Sequence, residues 1–459
     1  MNRLYTFYIL VITQIFSLIG SRMTGIAVGI QIFRDTGNTS PLLIAAFFME
    51  IPGMLSGSFT GLIADRFDRR LVIMVGDAGQ AVGTLVLLLS YASGSFELWH
   101  LYAVMLVQGI FGTIQSPASD ASITMLVPEN HRDRANGINL MGFPLAGVIA
   151  PILTGVFYEV AGITGVMVFD LLTFAVAITV VFLIRIPRPE KSQASMNIES
   201  EGGFRRELLG GWHYLIQRRA LLLMILYLSF IYFLINGPLE IAIPYFITIT
   251  GSEETLGLLL AAMNLGALSG ALAIAVSGNV RNRMRVIMVG FLILGVLFGI
   301  YGIVRSPILL GVTIFCILFP LPVTGALFSS IMQKKTPPDM QGRVFAISGQ
   351  LFMLMTPFSF LLTGYLVDSW LEPAVGKTGW DRIAPLVGDE AGAGMGLLMI
   401  AVGVLIFGAT VLIYALPAVR NLESDLPDFA VLEDESLPAN AEPEPALRGV
   451  AKSEEISQY

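Results

Sequence analysis

Long apolar segments alternate with short polar ones over most of the chain. Each apolar run is long enough to cross a bilayer as a helix. Six runs precede a polar stretch at 186–219 and six follow it. They lie at about 5–32, 41–64, 71–92, 98–127, 136–160, 163–185, 220–248, 254–277, 286–304, 307–332, 343–369 and 393–416. The pattern predicts an all-α membrane protein with twelve transmembrane helices in two six-helix halves.

The amino-acid composition is that of a membrane protein, and it limits the kinds of functional site to be expected. Hydrophobic residues make up 55% of the chain and charged residues only 13%, whereas about a quarter of an ordinary soluble protein is charged. The single cysteine, Cys316, lies in an apolar run, and His100, His131 and His213 are far apart. We therefore expect no disulfide framework, no metal site and no cofactor.

The formal net charge of −7 comes from the C-terminal tail, because residues 418–459 carry ten acidic and three basic residues. This tail is predicted to be disordered and solvated. Residues 204–219 of the linker alternate apolar and basic residues, as a helix on the membrane surface would. The predicted domains are an N-terminal half at 1–185, a cytoplasmic linker at 186–219, a C-terminal half at 220–417 and the tail at 418–459.

Lysine and arginine in the short loops predict the orientation of the chain, because cytoplasmic loops are enriched in them. With the N-terminus inside, 20 of these residues fall in inner segments and four in outer ones. The protein is therefore predicted to lie in the plasma membrane with both termini in the cytoplasm.

Two short sequences recur in the second half of the chain. Residues 72–76 read the same as 286–290, in the third and ninth runs. Residues 153–155 read the same as 362–364, in the fifth and eleventh runs, and Arg134 matches Arg343. The recurrence predicts two similar halves of parallel topology.

The loop between the second and third runs carries a dense cluster of charges. It reads Gly61-Leu-Ile-Ala-Asp65-Arg66-Phe-Asp68-Arg69-Arg70. This pattern resembles the signature loop of the major facilitator superfamily of transporters, with Asp68 where the signature usually has glycine. The segments 341–345, 183–187 and 204–207 are similar to those of the macrolide-efflux subgroup.

The resemblance implies the major facilitator fold, with a substrate cavity near the bilayer midplane between the halves. It also implies a conformational clamp at the inner face, made by Gly61, Asp65 and the loop arginines with carboxylates of neighbouring spans. Asp77 and Asp120 lie at the depth of this loop and are the candidate partners. Asp65 is a candidate cap for the start of the eleventh span near Gly342, since helix N-termini attract carboxylates.

Few charges lie at bilayer depth, where each costs at least about 2.5–3.5 kcal/mol. Arg22 and Glu50 lie at matching depth in adjacent spans and are predicted to form an ion pair, either a static brace or a protonation switch. Glu240 follows Asn236-Gly-Pro and is either a cavity-lining carboxylate or a residue near the outer interface. Asp170 is a further candidate for proton coupling.

Two acidic residues at span ends and several residues within the spans are also considered as functional candidates. Glu159 and Asp368, at outer span ends, are expected to be in water. Candidate cavity residues are Phe47, Met54, Tyr227, Tyr232 and Asn236, although aromatic and methionine stripes in spans also serve packing.

The resulting hypothesis is a secondary transporter that exports small hydrophobic or amphipathic compounds, drug-, macrolide- or siderophore-like, by proton antiport. The expected partners are the substrate, protons and the lipid bilayer; nucleic acid is not expected, and the protein is expected to be a monomer. No phosphate-binding Gly-x-x-x-x-Gly-Lys sequence and no nucleophile motif is present, which argues against an ATP-driven pump and against an enzyme. An importer or facilitator of a small nutrient, or a non-transporting receptor, are the alternatives.

Overall fold

The computed structural model describes residues 3–56, 68–127, 132–184, 212–277 and 280–426. Within these ranges the secondary structure is entirely helical. The main helices are α1 (Arg3–Thr36), α2 (Ser40–Ser56), α3 (Arg69–Ala92), α4 (Leu98–Leu126), α5 (Arg132–Leu183), α6 (Arg219–Glu240), α7 (Ala242–Thr250), α8 (Glu253–Val276), α9 (Arg283–Ile303), α10 (Pro307–Leu318), α11 (Pro320–Lys335), α12 (Pro338–Leu366) and α13 (Ala393–Ala415). Short helical turns lie at Val367–Leu371, Glu372–Ala374, Trp380–Arg382, Ala384–Val387, Pro417–Arg420 and Leu422–Asp425.

The predicted fifth and sixth spans both lie in α5, which breaks at Gly162. That glycine has φ 63°, in the left-handed region that favours glycine. Before the break, α5 runs in the direction of α1, since Gly142 meets Ile15 and the Tyr158 hydroxyl binds Gln31. After it, α5 runs the opposite way, because Gly20 meets Thr173 while Thr24 binds Asp170. The helix therefore folds back on itself as two antiparallel spans.

The predicted seventh and tenth spans are each built from two consecutive helices. α6 ends at Glu240 and α7 begins two residues later, after Pro238 has interrupted the regular ladder. α10 and α11 meet at Phe319, immediately before Pro320. Proline lacks the amide hydrogen of a helix interior, so these breaks follow from the sequence.

Twelve spans account for the helices. In the ranges described, nine helices are long and apolar enough to cross a membrane, and one of them, Met141–Leu183, holds the two spans that meet at Gly162. α2, a shorter apolar helix, and α4, with 29 residues, are the remaining predicted spans. The predicted all-α, twelve-span fold is confirmed.

The sequence repeat has a structural counterpart. A side chain added at Gly76 of α3 would meet Gln115 of α4, with 2.7 Å to its Cβ. One added at Gly290 of α9 would meet Thr324 of α11, 2.9 Å from its Cγ2. The repeated glycine therefore brings the third and fourth spans together in one half and the ninth and tenth in the other.

Among the described residues, the halves meet chiefly through α2 with α12, α5 with α8, and α1 with α7. Several of their contacts lie at the ends predicted to be outside. Gly364 of α12 lies against Ser40 and Leu43 of α2, and Gly257 of α8 lies against the Pro151 carbonyl. The halves are thus in contact at their predicted outer ends.

The segment after α13 differs from its prediction. The disordered tail was expected to start at 418, but residues 417–426 form two short helical turns. Glu423 accepts a hydrogen bond from the Met284 amide at the start of α9 (3.0 Å), and the Lys335 ammonium donates to the Glu423 carbonyl (2.6 Å). These bonds dock the segment on the C-terminal half. The remaining domain limits stay predictions, and most of the linker and of the tail lie outside the described residues.

α9 packs closely on α13 at glycine residues, as Gly302 shows. A side chain at Gly302 would collide with the Gly396 carbonyl and come 2.8 Å from Ile400 Cγ1, whereas one at Gly299 of the same helix meets nothing within 4 Å. We expect Gly302→Ala to destabilise the protein by about 1–3 kcal/mol. Gly299→Ala, the matched control, should be neutral or slightly stabilising. Thermal unfolding in detergent measures both, and equal Tm values would contradict this packing.

Candidate functional site

α6 is interrupted one turn before its end by a side chain of α12. The Ser359 hydroxyl accepts a hydrogen bond from the Gly237 amide (2.7 Å) and donates one to the Phe233 carbonyl. These are the two groups that a regular helix would join, so the hydroxyl is inserted into the ladder. Asn236 donates to the Thr356 hydroxyl at 2.8 Å on the same interface. The Asn236-Gly-Pro sequence thus marks a distorted helix held by α12.

Glu240 is the last residue of this distorted helix, and its side chain is exposed. Glu50 of α2 is close enough to act on Glu240 electrostatically. Two acidic groups from opposite halves therefore lie near each other.

Arg22 does not form the predicted ion pair with Glu50 among the residues that the structure describes. Its guanidinium stacks on the Phe143 ring, 3.7 Å from the ring centroid, and lies over Gly147 beside Asn264 of α8. The Arg22 side chain thus contacts α5 instead of α2. Arg22 therefore lies where α1, α5 and α8 meet, at the junction of the two halves.

A cavity of about 230 Å³ opens inside the C-terminal half. Its lining comes from α6, α9, α11 and α12 and is mostly apolar, with several hydroxyl groups among aromatic rings. The lining residues are Leu228, Tyr232, Phe291, Thr324, Gly325, Phe328, Ser329, Met332, Phe345, Ser348, Gly349 and Phe352. The Tyr232 and Phe352 rings lie 5.2 Å apart across the interface of α6 and α12. Of the candidate cavity residues, Tyr232 lines this space.

The other candidate cavity residues have different surroundings. Tyr227 is buried and shares a hydrogen bond with the Thr410 hydroxyl (2.7 Å), with its ring against Phe291. Phe47 packs edge-on against Phe48, and Met54 is half-buried in α2. Tyr227 thus serves packing within the C-terminal half. The sequence could not distinguish packing residues from cavity-lining residues, because both kinds are large side chains within the spans.

Asp170 is completely buried inside the N-terminal half. It accepts hydrogen bonds from the hydroxyls of Ser21 (3.2 Å) and Thr24 (2.9 Å) on α1 and of Thr84 (3.1 Å) on α3. Gly20 allows this approach, because a side chain there would lie 2.9 Å from the carboxylate. The arrangement joins three spans through one carboxylate and does not open to a cavity.

Asp77 takes part in a second buried network. Gln14 of α1 donates to one carboxylate oxygen at 2.9 Å and Gln115 of α4 to the other at 2.6 Å. Gln80 in turn donates to Gln115. Asp77 therefore joins α1, α3 and α4 within the N-terminal half. Its predicted part in the clamp stays a prediction.

The structure describes only part of the signature loop. Gly61, Asp65 and Arg66 lie outside the described residues, as does the side chain of Asp120. Asp68 caps α3 by accepting the Arg70 amide at 3.0 Å. The Arg70 side chain donates to the carbonyls of Val181 and Phe182 near the end of α5.

These contacts give the loop residues local roles. Aspartate is a preferred N-cap, which explains its presence where the signature usually has glycine. A cation near carbonyls at a helix C-terminus is likewise favourable. Arg70 thus joins the third and sixth spans within one half, and Arg69 is the first residue of α3. The contacts that these residues make across the halves stay a prediction.

The structural role of one acidic residue was not predicted from the sequence. Asp368 was expected to be in water, but it binds the start of α2 through Thr39 and Ser40. The internal repeat could have drawn attention to Asp368. The offset that relates residues 153–155 to 362–364 also relates Glu159 to Asp368, so the two halves carry a carboxylate at corresponding positions.

Comparison with known proteins adds to this geometry. The family model of the Major Facilitator Superfamily matches residues 10–359. Macrolide efflux protein A of Streptococcus pyogenes is 25% identical over 79% of this chain and 89% of its own. The multidrug efflux pump Tap of Mycolicibacterium fortuitum is 23% identical over 76% and 86%. The fold is similar to that of a bacterial homologue of the human lysosomal transporter Spinster, solved in an inward-facing, unoccupied conformation, with a TM-score of 0.69, 16% identity and coverage of 93% and 98%. The chain belongs to the Major Facilitator Superfamily of membrane transporters.

Proposed function

We propose that the protein exports small hydrophobic or amphipathic compounds across the plasma membrane in exchange for protons, with both termini in the cytoplasm. The observation that carries the proposal is the pair Glu50 and Glu240, two carboxylates from opposite halves that are close enough to interact electrostatically. Among the described residues neither carboxylate forms an ion pair. Two carboxylates that share a site titrate as a coupled pair, so protons are their natural partners.

The apolar cavity supports the choice of substrate. Its volume of about 230 Å³ is below the roughly 300–1,000 Å³ of sites that enclose a whole drug-sized ligand. We therefore assign it to the apolar part of a substrate whose remainder lies between the halves. The aromatic rings of Tyr232 and Phe352 would contact this part, and hydroxyls such as that of Ser348 would accept or donate hydrogen bonds.

Direction of transport is supported by the relatives. Macrolide efflux protein A and the pump Tap are named as efflux proteins, and both match more than three quarters of this chain. In the proposed cycle, proton binding at the carboxylate pair and substrate binding in the adjoining space alternate. The inward movement of protons then drives the outward movement of substrate.

Everted membrane vesicles that contain the protein test this proposal. Respiration acidifies their interior, and we expect fluorescent dyes, macrolides or catechol siderophores to accumulate inside. A protonophore should abolish the accumulation. Accumulation that survives the protonophore, or uptake confined to right-side-out vesicles, would contradict proton-driven export and favour a facilitator or an importer.

A further inference from the structure

The start of α2 is capped by a side chain of the other half of the molecule. One oxygen of the Asp368 carboxylate accepts the Thr39 amide (3.0 Å) and the Thr39 hydroxyl (2.9 Å), and the other accepts the Ser40 amide (2.6 Å). α2 begins at Ser40, whereas Asp368 lies just beyond the end of α12. The first amides of a helix lack partners within that helix. Here a carboxylate from 328 residues away supplies them.

We propose that Asp368 is the latch of the outer gate and stabilises the conformation in which the two halves meet at their outer ends. The cap can exist only while the start of α2 touches the end of α12. An outward-open conformation must separate these ends, and the α2 amides then lose their charged partner. The contact therefore adds free energy to one state of the transport cycle and not to the other.

The surroundings of the latch fit a contact of this kind. Thr39 is 2% exposed, so its bonds to Asp368 are partly shielded from competing water. Gly364, one turn before Asp368, allows close approach, because a side chain there would lie 3.1 Å from both Cα and Oγ of Ser40. The carboxylate also faces the positive end of the α2 dipole. The contact is thus short, partly buried and favoured by charge.

The repeat provides a natural control. Glu159 occupies the position in the first half that corresponds to Asp368 in the second. Its side chain is exposed. Removing its charge changes the same outer surface without touching the start of α2. The latch predicts different effects for these two related carboxylates.

Distance measurements between spin labels test the latch independently of substrate and protons. The native Cys316 is first replaced by serine, and labels are attached through Ser95→Cys and Lys377→Cys, which are exposed outer sites of the two halves. We expect Asp368→Ala to raise the ratio of long to short distances about five- to 30-fold, the factor that loss of a helix cap represents. Thr39→Val, which removes one of the three bonds, should produce a smaller rise.

Glu159→Ala should leave the ratio unchanged. If Asp368→Ala does not fold, Asp368→Asn keeps the shape of the side chain and removes its charge, and a smaller shift in the same direction is expected. A lower Tm with an unchanged ratio would overturn the latch and leave a purely structural cap. An equal shift in Glu159→Ala would overturn it as well.

Discussion

Replacement of Glu240 by glutamine is expected to reduce pH-driven transport by at least about tenfold while substrate exchange at equal pH continues. Glutamine keeps the size of the side chain but cannot bind or release a proton. The loss corresponds to a coupling free energy in the ordinary range of about 1–3 kcal/mol. Uniform loss of substrate binding is not expected, because the amide keeps a polar group of the same size at this position.

The structural basis of this expectation is the end of α6. The Ser359 hydroxyl and Pro238 interrupt the helix just before Glu240, and Glu50 of the other half is close enough to act on it electrostatically. A carboxylate on a distorted helix between two moving halves can change its surroundings when the halves move. Proton binding there can therefore depend on the conformation.

Two assays in proteoliposomes separate the possible roles of Glu240. Counterflow at equal pH reports substrate binding and movement, and accumulation under a pH gradient reports proton coupling. Glu159→Gln makes the same chemical change at an exposed site and should behave as the native protein in both assays. Equal losses in both assays for Glu240→Gln would assign Glu240 to substrate binding. Undiminished pH-driven accumulation would remove it from coupling.

A large loss of stability is expected when Asp170 is replaced by leucine. The carboxylate is the acceptor for the hydroxyls of Ser21, Thr24 and Thr84 in a fully buried site. Removing a buried acceptor leaves donors unsatisfied, at about 1–3 kcal/mol for a group that finds no new partner. Leucine also crowds Gly20, whose position allows the close approach of α1. We expect a total of roughly 2–5 kcal/mol.

Thermal unfolding of the purified protein in detergent measures this loss as a fall in Tm. Asp170→Asn is the matched control, since it keeps the shape and one acceptor oxygen and should lose less stability. We also expect it to retain transport, because Asp170 faces hydroxyls within one half and not the space between the halves. A stable Asp170→Asn protein without transport would contradict the structural role and return Asp170 to the proton pathway.

The helical spans and their number could be predicted from the sequence because the bilayer demands long apolar helices. The repeat predicted two similar halves, and Gly76 and Gly290 each lie at a contact between their own span and the next one. The Arg22–Glu50 pair was not found, since helix rise fixes depth while the direction of a side chain depends on how the helix is rotated by its neighbours. The Arg22 guanidinium contacts Phe143 of α5, and no spacing in the sequence predicts that contact.

Contacts between distant parts of the chain were the least predictable. Asp368 lies at a span end, where a carboxylate is ordinarily solvated, and its partners Thr39 and Ser40 belong to the other half. The docked segment that contains Glu423 was also missed, because its composition continues that of the acidic tail. In both cases the deciding contact is a carboxylate on a helix N-terminus, which depends on which ends meet in space.

The most direct test of proton-coupled export is the movement of protons caused by substrate alone. Purified protein in proteoliposomes with an internal pH-sensitive dye, without an imposed gradient, receives a transported compound on one side. We predict that the compound moves protons in the opposite direction, at a rate that depends on its concentration and is lost in Glu240→Gln. Transport of the compound with no change in the dye signal would contradict the account.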